Sequence, residues 1–278
     1  MVEPAVPLPH GPMPDWDPEL YNRFRRYRAE PFELILARLA VRPDDTIVDL
    51  GCGSGENTIE LVRRAFHGRA TGVDSSSAMI ARAEALREGL EPELRDRLNF
   101  VTGDFREFTA DREYSVVFSN AALQWSRNHR EILTRWSRAL RPGGRLVVQM
   151  PSNHEETAQV NLMDLAHDPA WSGVLGDRQT PSHVVGSPED YRTMLEEIGL
   201  VEVDCHYHIF HHPMESPAAI VEFSQATALR PFLDRIPAAR HGEFIAEFTR
   251  RLEQAYGTRG PLTFNFRRLF LWGRRADI

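Results

Sequence analysis

The stretch VDLGCGSGEN, residues 48–57, sets Asp49 two residues before the first of three alternate glycines, Gly51, Gly53 and Gly55. Glycines at that spacing let the backbone pass very close to a ligand and take conformations closed to other residues. Nucleotide phosphates and a sulfonium-bearing methyl donor can both be held this way. The pattern does not suit phosphates. A dinucleotide fingerprint needs a third glycine whose place, counted from Gly51, is taken by Glu56. No lysine follows where a phosphate loop carries one. Asp49 would repel a pyrophosphate, whereas it suits a ligand with an ammonium and a sulfonium.

The elements that hold this loop follow from the hydrophobic pattern. From Asp44 to Pro151 short apolar runs alternate with helix-period segments, which predicts helices around a parallel sheet. TIVDL is the first strand, and residues 57–65 form a helix with Ile59, Leu61, Val62 and Ala65 inward. RATGVD ends a second strand at Asp74, after which Ser75–Ser77 can cap a helix running through Met79, Ile80 and Ala83. LNFVTGD ends a third strand at Asp104, and YSVVFSN a fourth at Asn120. ILTRWSRAL reads as a helix stopped by an RPGG turn, with RLVVQMP as the fifth strand. In such doubly wound sheets ligands bind beyond the carboxyl ends of the strands, at the switch in strand order. Asp49, Asp74, Asp104 and Asn120 all fall on that rim, which makes a stronger signal together than any one alone.

Beyond Pro151 the rhythm changes. SPEDYRTMLEEIGL is a helix capped by Ser187, with Pro188 at its first position and Gly199 at its end. VEVDCHYHIFHH is a sixth strand and LTFNFRRLFLWGRR a seventh; between them residues 216–256 are helical, burying Ile220, Phe223, Phe244, Phe248 and Leu252. His206, His208 and His212 share one strand face but have no acidic or cysteine partner at usual spacing, so no metal is expected there and a half-exposed sheet edge is.

Composition narrows the class. At 278 residues the chain suits one large domain. Its two cysteines, Cys52 and Cys205, suggest no disulfide framework, which points to a reducing, cytoplasmic compartment. A formal charge of −7 argues against nucleic acid as main partner, and no apolar run is long enough to span a bilayer. The first 14 residues contain five prolines and no signal-peptide pattern, so a flexible tail is expected. The oligomeric state is not legible.

With these residues in place, the loop resembles motif I of the class I S-adenosylmethionine-dependent methyltransferases. The likeness implies a doubly wound, seven-stranded Rossmann-like α/β sheet with a helical lid inserted after strands five and six. It also implies S-adenosyl-L-methionine as cofactor, with Asp74 on the ribose hydroxyls and Asp104 and Phe105 at the adenine. Arg28, Asp49, Gly51, Cys52, Gly53, Ser75, Met79, Gly103, Asn120, Ala121 and Trp125 complete the implied donor set. Residues 16–39, SNAALQW, Trp136, VVQMPSN and FNFRRLFLWGRR resemble one subgroup more closely, the trans-aconitate 2-methyltransferases. The implied layout is one domain over residues 15–278: a helical cap at 15–40, a donor-binding core at 44–151, an acceptor lid at 152–187 and 213–258, and a last strand at 259–278.

In that subgroup the acceptor is a small polycarboxylic acid, and one carboxylate becomes a methyl ester. A carboxylate is already ionised at neutral pH, so such a reaction needs positioning more than a general base. Tyr21 and Arg28 could lie over the donor and hold a carboxylate, arginine being the bidentate choice. Gln124 and Trp125 follow the fourth strand, where the methyl should emerge; Asn153 and His154 follow the fifth. Arg267 and Arg268 face opposite sides of the last strand, so one at most enters a given pocket, and Arg267 is the candidate. Each has a plainer reading: Tyr21, Phe24 and Phe32 as helix packing, Arg28 as a surface charge, Trp125 as core filling. Two other functions stay open. One is methylation of a natural-product hydroxyl or amine, with His154 or His129 as base. The other is a donor-binding protein without turnover.

Overall fold

A computed structural model describes residues 24–176, 184–225, 228–258 and 260–277. The proline-rich start, Trp16 and Tyr21 lie outside the described residues. Seven strands form one sheet: β1 (Thr46–Leu50), β2 (Arg69–Asp74), β3 (Leu98–Thr102), β4 (Tyr114–Asn120), β5 (Leu140–Pro151), β6 (Leu200–Met214) and β7 (Leu262–Arg275). Their order is β3-β2-β1-β4-β5-β7-β6, with β1 to β5 parallel and β7 antiparallel to both neighbours. The order reverses at β1, so the loops after β1 and β4 open at the switch point. β6, with its histidines, forms the expected sheet edge.

The helices are α1 (Arg25–Leu39), α2 (Glu56–Arg64), α3 (Ser77–Glu88), α4 (Pro92–Arg95), α5 (His129–Ala139), α6 (Thr157–Ala166), α7 (Pro169–Leu175), α8 (Pro188–Glu197), α9 (Pro217–Gln225), α10 (Arg230–Leu233) and α11 (His241–Tyr256). Their starts follow local chemistry. Ser76 accepts from the Met79 N–H at 3.3 Å, and Ser187 makes a reciprocal capping box with Asp190 behind Pro188. No helix among the described residues is long and apolar enough to cross a membrane.

Both faces of the sheet are covered, which is why β4 reads as an almost continuous apolar run. On one face Phe118, Val147, Phe266 and Phe270 meet Phe32 and Ile35 of α1, Ile220 and Phe223 of α9, and Phe244, Phe248 and Leu252 of α11. On the other, Val117, Val148 and Leu269 meet Ile132, Leu133 and Trp136 of α5 and Tyr191 and Leu195 of α8. The helices after β5 and after β6 pack as one group, α9 on α11, α11 on α6 and α6 on α7.

Two expectations change. RPGG is not a turn outside the sheet: α5 ends at Ala139 and the chain enters β5 at once, at Leu140. Gly143, at φ +71°, and a register shift opposite Tyr114 and Val116 absorb the irregularity. The third strand stops at Thr102, and Asp104 belongs to the loop beyond it.

Candidate active site

The loop after β1 is held from below. The N–H groups of Gly51 and Cys52 both donate to the Val73 carbonyl, at 2.8 and 3.1 Å. All three loop glycines have positive φ: +84°, +55° and +85°. A side chain on Gly51 would meet the Ala122 Cβ at 2.2 Å, and one on Gly55 would meet the Phe100 ring at 2.6 Å. Gly53 differs, with nothing within 4 Å of an added Cβ. Two glycines are therefore required by packing, and the middle one opens onto free space.

Asp49 is not on the open rim. It is 1% exposed and accepts a 2.6 Å hydrogen bond from the Thr58 hydroxyl. Removal from water pushes its carboxyl up to about 7; the Thr58 bond opposes that rise and the Asp74 charge adds to it. Asp74 shapes the loop directly. Its Oδ2 accepts from the Gly53 N–H and its Oδ1 from the Ser76 N–H, both at 2.9 Å. One carboxylate thus joins the glycine loop to the start of α3, and each oxygen keeps a lone pair for a further donor. Ser75 is exposed and Met79 half-buried beside it. The Cys52 side chain is buried, its thiol raised chiefly by desolvation, so only its backbone is available to a ligand.

Beyond β3, Gly103 donates to the Asp74 carbonyl at 2.9 Å. Asp104 is engaged by Arg106, whose backbone N–H and Nε donate at 2.8 and 2.9 Å to Oδ1. Those bonds hold the Asp104 carboxyl below its usual range. Phe105 stands half-buried as a wall beside Gly51, its ring 4.0 Å from where a Gly51 Cβ would be. Its carbonyl accepts from the buried Trp136 indole at 3.0 Å, which explains why that tryptophan sits in α5.

The end of β4 carries strain. Ala121 has φ +57° and donates to the Gln149 carbonyl at 2.8 Å. The next turn, Leu123–Trp125, presents Gln124 and Trp125. Gln124 is buried and donates to the Ala121 carbonyl at 2.6 Å, while its Oε1 and the Asn120 Oδ1 have no hydrogen-bond partner among the described residues. Trp125 is 45% exposed, so it is not core filling. His129 fastens this turn: Nε2 lies 2.9 Å from the Leu123 carbonyl and 2.8 Å from that of Ser126. Carbonyls only accept, so Nε2 carries the proton and Nδ1 accepts from the Tyr191 hydroxyl. Burial also lowers the His129 pKa. With both nitrogens engaged, His129 is a structural pin and is withdrawn as a candidate base.

Beyond β5, Asn153 is buried and His154 half-buried. The two arginines of β7 have different surroundings. Arg267 donates from Nε to the Ser152 carbonyl at 2.7 Å, pairs with Glu155 at 2.8 Å and lies 4.5 Å from the Tyr207 ring centroid. Arg268 occupies the other face, 8% exposed, with its guanidinium 4.8 Å from the Phe266 ring centroid. It donates to the Gln149 Oε1 at 3.2 Å, and neither its Nε nor the Gln149 Nε2 has a hydrogen-bond partner among the described residues. Burial, and then the Arg28 charge, push Arg268 down to about 10. Arg28 itself projects from α1 with its guanidinium 5.5 Å from the Phe223 ring centroid.

The structure therefore gathers Gly51, Gly53, Asp74, Phe105 and Ala121 at one rim, and Arg28, Gln149 and Arg268 on the face toward α1 and α9. Sequence reasoning missed Thr58, Arg106 and Gln149, whose roles are set by contacts across the fold.

The comparisons agree with this architecture. A family described as "Methyltransferase domain" matches residues 42–199. The chain is 34% identical to a trans-aconitate 2-methyltransferase of Paracidovorax citrulli, covering 95% of this chain and 100% of that one. It is 35% identical to one of Variovorax paradoxus, over 93% and 98% of the two chains. Among solved structures, the YcgJ protein of Bacillus subtilis superposes with TM-score 0.58 at 16% identity, covering 90% of this chain and 99% of that one. Geranyl diphosphate C-methyltransferase from Streptomyces coelicolor gives 0.56 at 18% identity, over 94% and 86%. With an apolar two-faced sheet, a glycine loop at its switch point and full-length relatives on this scale, the chain belongs to the trans-aconitate 2-methyltransferase family of methyltransferases.

Proposed function

We propose that the protein transfers the methyl group of S-adenosylmethionine to one carboxylate of trans-aconitate, forming a monomethyl ester. The observation that carries this reading is the likeness to the trans-aconitate enzymes along almost the whole of both chains, at 34% identity. The buried positive face around Arg268 supports the acceptor class, a small anion rather than a nucleic acid.

The rim suits the donor. Gly53 leaves room for a ligand against the backbone, Asp74 offers lone pairs to a diol, and Phe105 gives a flat apolar wall. Gly51, Gly103, Asn120 and Ala121 frame the same opening, Ser75 and Met79 extend it along α3, and the buried Asp49 charge favours a cationic ligand above the loop. The donor, when bound, supplies an electrophilic methyl group.

The chain's own task is alignment and exclusion of water. Trp125, exposed at the end of the turn, covers the opening, and Gln124 is fixed beside it by the Ala121 carbonyl. Arg28, Asn153 and His154 line the acceptor side in this reading, while Arg267 serves the Ser152–Glu155 loop. Residues 44–151 form the donor half; α1, with the helices after β5 and β6, covers the acceptor. We place the enzyme in the cytoplasm, where its buried free thiols, Cys52 and Cys205, stay reduced.

Purified protein incubated with S-adenosylmethionine and trans-aconitate should yield the monomethyl ester by mass spectrometry. At saturating substrates kcat should show no rising limb near neutrality. Donor binding without turnover on trans-aconitate would refute the acceptor, and a limb titrating near 6.5 would point to His154 as a base.

A further inference from the structure

We infer that Arg268, with the amide of Gln149, binds a carboxylate of the acceptor other than the one methylated, and so makes the enzyme selective for polycarboxylates over monocarboxylic acids. This rests on the proposed acceptor class and names the residues that read it.

Arg268 is nine-tenths buried, yet among the described residues it makes no ion pair with a carboxylate. Among the described residues the charge that acts on it is a cation, Arg28. His212 is buried and held neutral, pushed down to about 4 by desolvation first and by Arg268 next. Glu30, one of two acids on the same helix as Arg28, lies 3.5 Å from His212 and 3.9 Å from Arg26. An uncompensated buried ion costs several kcal/mol even after relaxation. Stacking over Phe266 returns about 2 kcal/mol of this. The balance is left for an anion to supply.

The hydrogen bonds fit the same ligand. Because arginine only donates, its bond to Gln149 fixes the amide with Oε1 toward Arg268 and Nε2 away. The Arg268 Nε and the Gln149 Nε2 are then two buried donor groups in one neighbourhood without acceptors among the described residues. A carboxylate, acceptor-only with two oxygens, satisfies both. β7 stands two strands from β4, about 10 Å between strand axes. Arg268 is thus set aside from the Asn120–Ala121 end, where the methyl emerges. A small polyacid can bridge that separation, since the arginine side chain reaches back across part of it. A monocarboxylic acid cannot engage both places.

The test uses Arg268→Met and Gln149→Glu. The second keeps the side-chain shape and gives Arg268 an internal counter-ion, so it should fold as well as wild type while occupying the site. Calorimetric binding of the saturated analogue, propane-1,2,3-tricarboxylate, is measured with S-adenosylhomocysteine present, and kcat/KM is measured for trans-aconitate and for trans-but-2-enoate. Each variant should bind the tricarboxylate about 30-fold more weakly, the loss of one charged hydrogen-bonded pair. The trans-aconitate preference over but-2-enoate should fall at least about tenfold on the same ground. Wild-type affinity in a folded Gln149→Glu protein, or equal losses for both acids, would overturn the inference. Should the wild type not turn over trans-aconitate, the proposed reaction fails, and tricarboxylate binding alone decides the Arg268 site.

Discussion

Replacing Asp49 by asparagine tests the electrostatics under the glycine loop, because it removes a charge while keeping the shape and the acceptor for Thr58. Asp49 is essentially without solvent, and its carboxyl rises from 3.8 to about 7. A group whose folded pKa is raised favours the folded state while protonated in it, and that contribution is lost as pH climbs to the folded value. The window here runs from about pH 4 to pH 7. Across it the native chain holds one proton that the unfolded chain has released, so stability falls by about 1.4 kcal/mol per pH unit from this group. Three units give about 4 kcal/mol. The asparagine amide does not titrate, so the wild-type stability minus that of Asp49→Asn should drop by about 4 kcal/mol between pH 4 and 7, then level off. Denaturant melts of both proteins in matched buffers measure this directly, and other titrating groups cancel in the difference. Parallel stability–pH curves for the two proteins would refute the buried-carboxyl reading. The same substitution should make the unliganded protein more stable at pH 8 and weaken donor binding, since a cation above the loop loses its counter-charge.

The other loop and turn residues give sharper contrasts. Gly53→Ala costs about 1–2 kcal/mol for its positive φ but meets no neighbour, so it should fold and lose donor affinity by calorimetry. Gly51→Ala adds to a similar strain a 2.2 Å clash with Ala122, so its melting temperature should fall well below that of Gly53→Ala. A reversed order of stability would show that the loop packs differently. Tyr191→Phe strips the hydroxyl from the His129 Nδ1 inside the protein and should cost about 1–3 kcal/mol in denaturant melts. A neutral result there would mean that the pin does not hold the Leu123–Trp125 turn.

What the sequence made legible follows the range of the interactions involved. Strand and helix identities came from local patterns, such as Ser187–Pro188 before α8 and the apolar run of β4, and the structure keeps them. Boundaries failed where tertiary pairing overrode a local signal. RPGG carries strong turn chemistry, yet it lies inside β5 between Leu140, paired with Tyr114, and Arg145, paired with Val116 and Arg274, with Gly143 absorbing the misfit. Asp49 was recognisable as an acid beside a glycine loop, but its depth depends on Thr58, nine residues on, turning its hydroxyl inward. The arginine pair shows a signal that was present and unread. In LTFNFRRLFLW the alternate positions are Phe264, Phe266, Arg268, Phe270 and Trp272, so Arg268 stands where the row otherwise carries aromatic rings. Strand alternation places that row on one face, and four aromatics mark it as the buried one. A cation interrupting a buried row needs a reason that packing does not supply. Arg267 shares its row with Asn265 and Leu269, a mixed face, and finds ordinary partners in Ser152 and Glu155. Choosing between adjacent arginines in a strand is therefore a question of which row each one interrupts, and the row of phenylalanines points to Arg268.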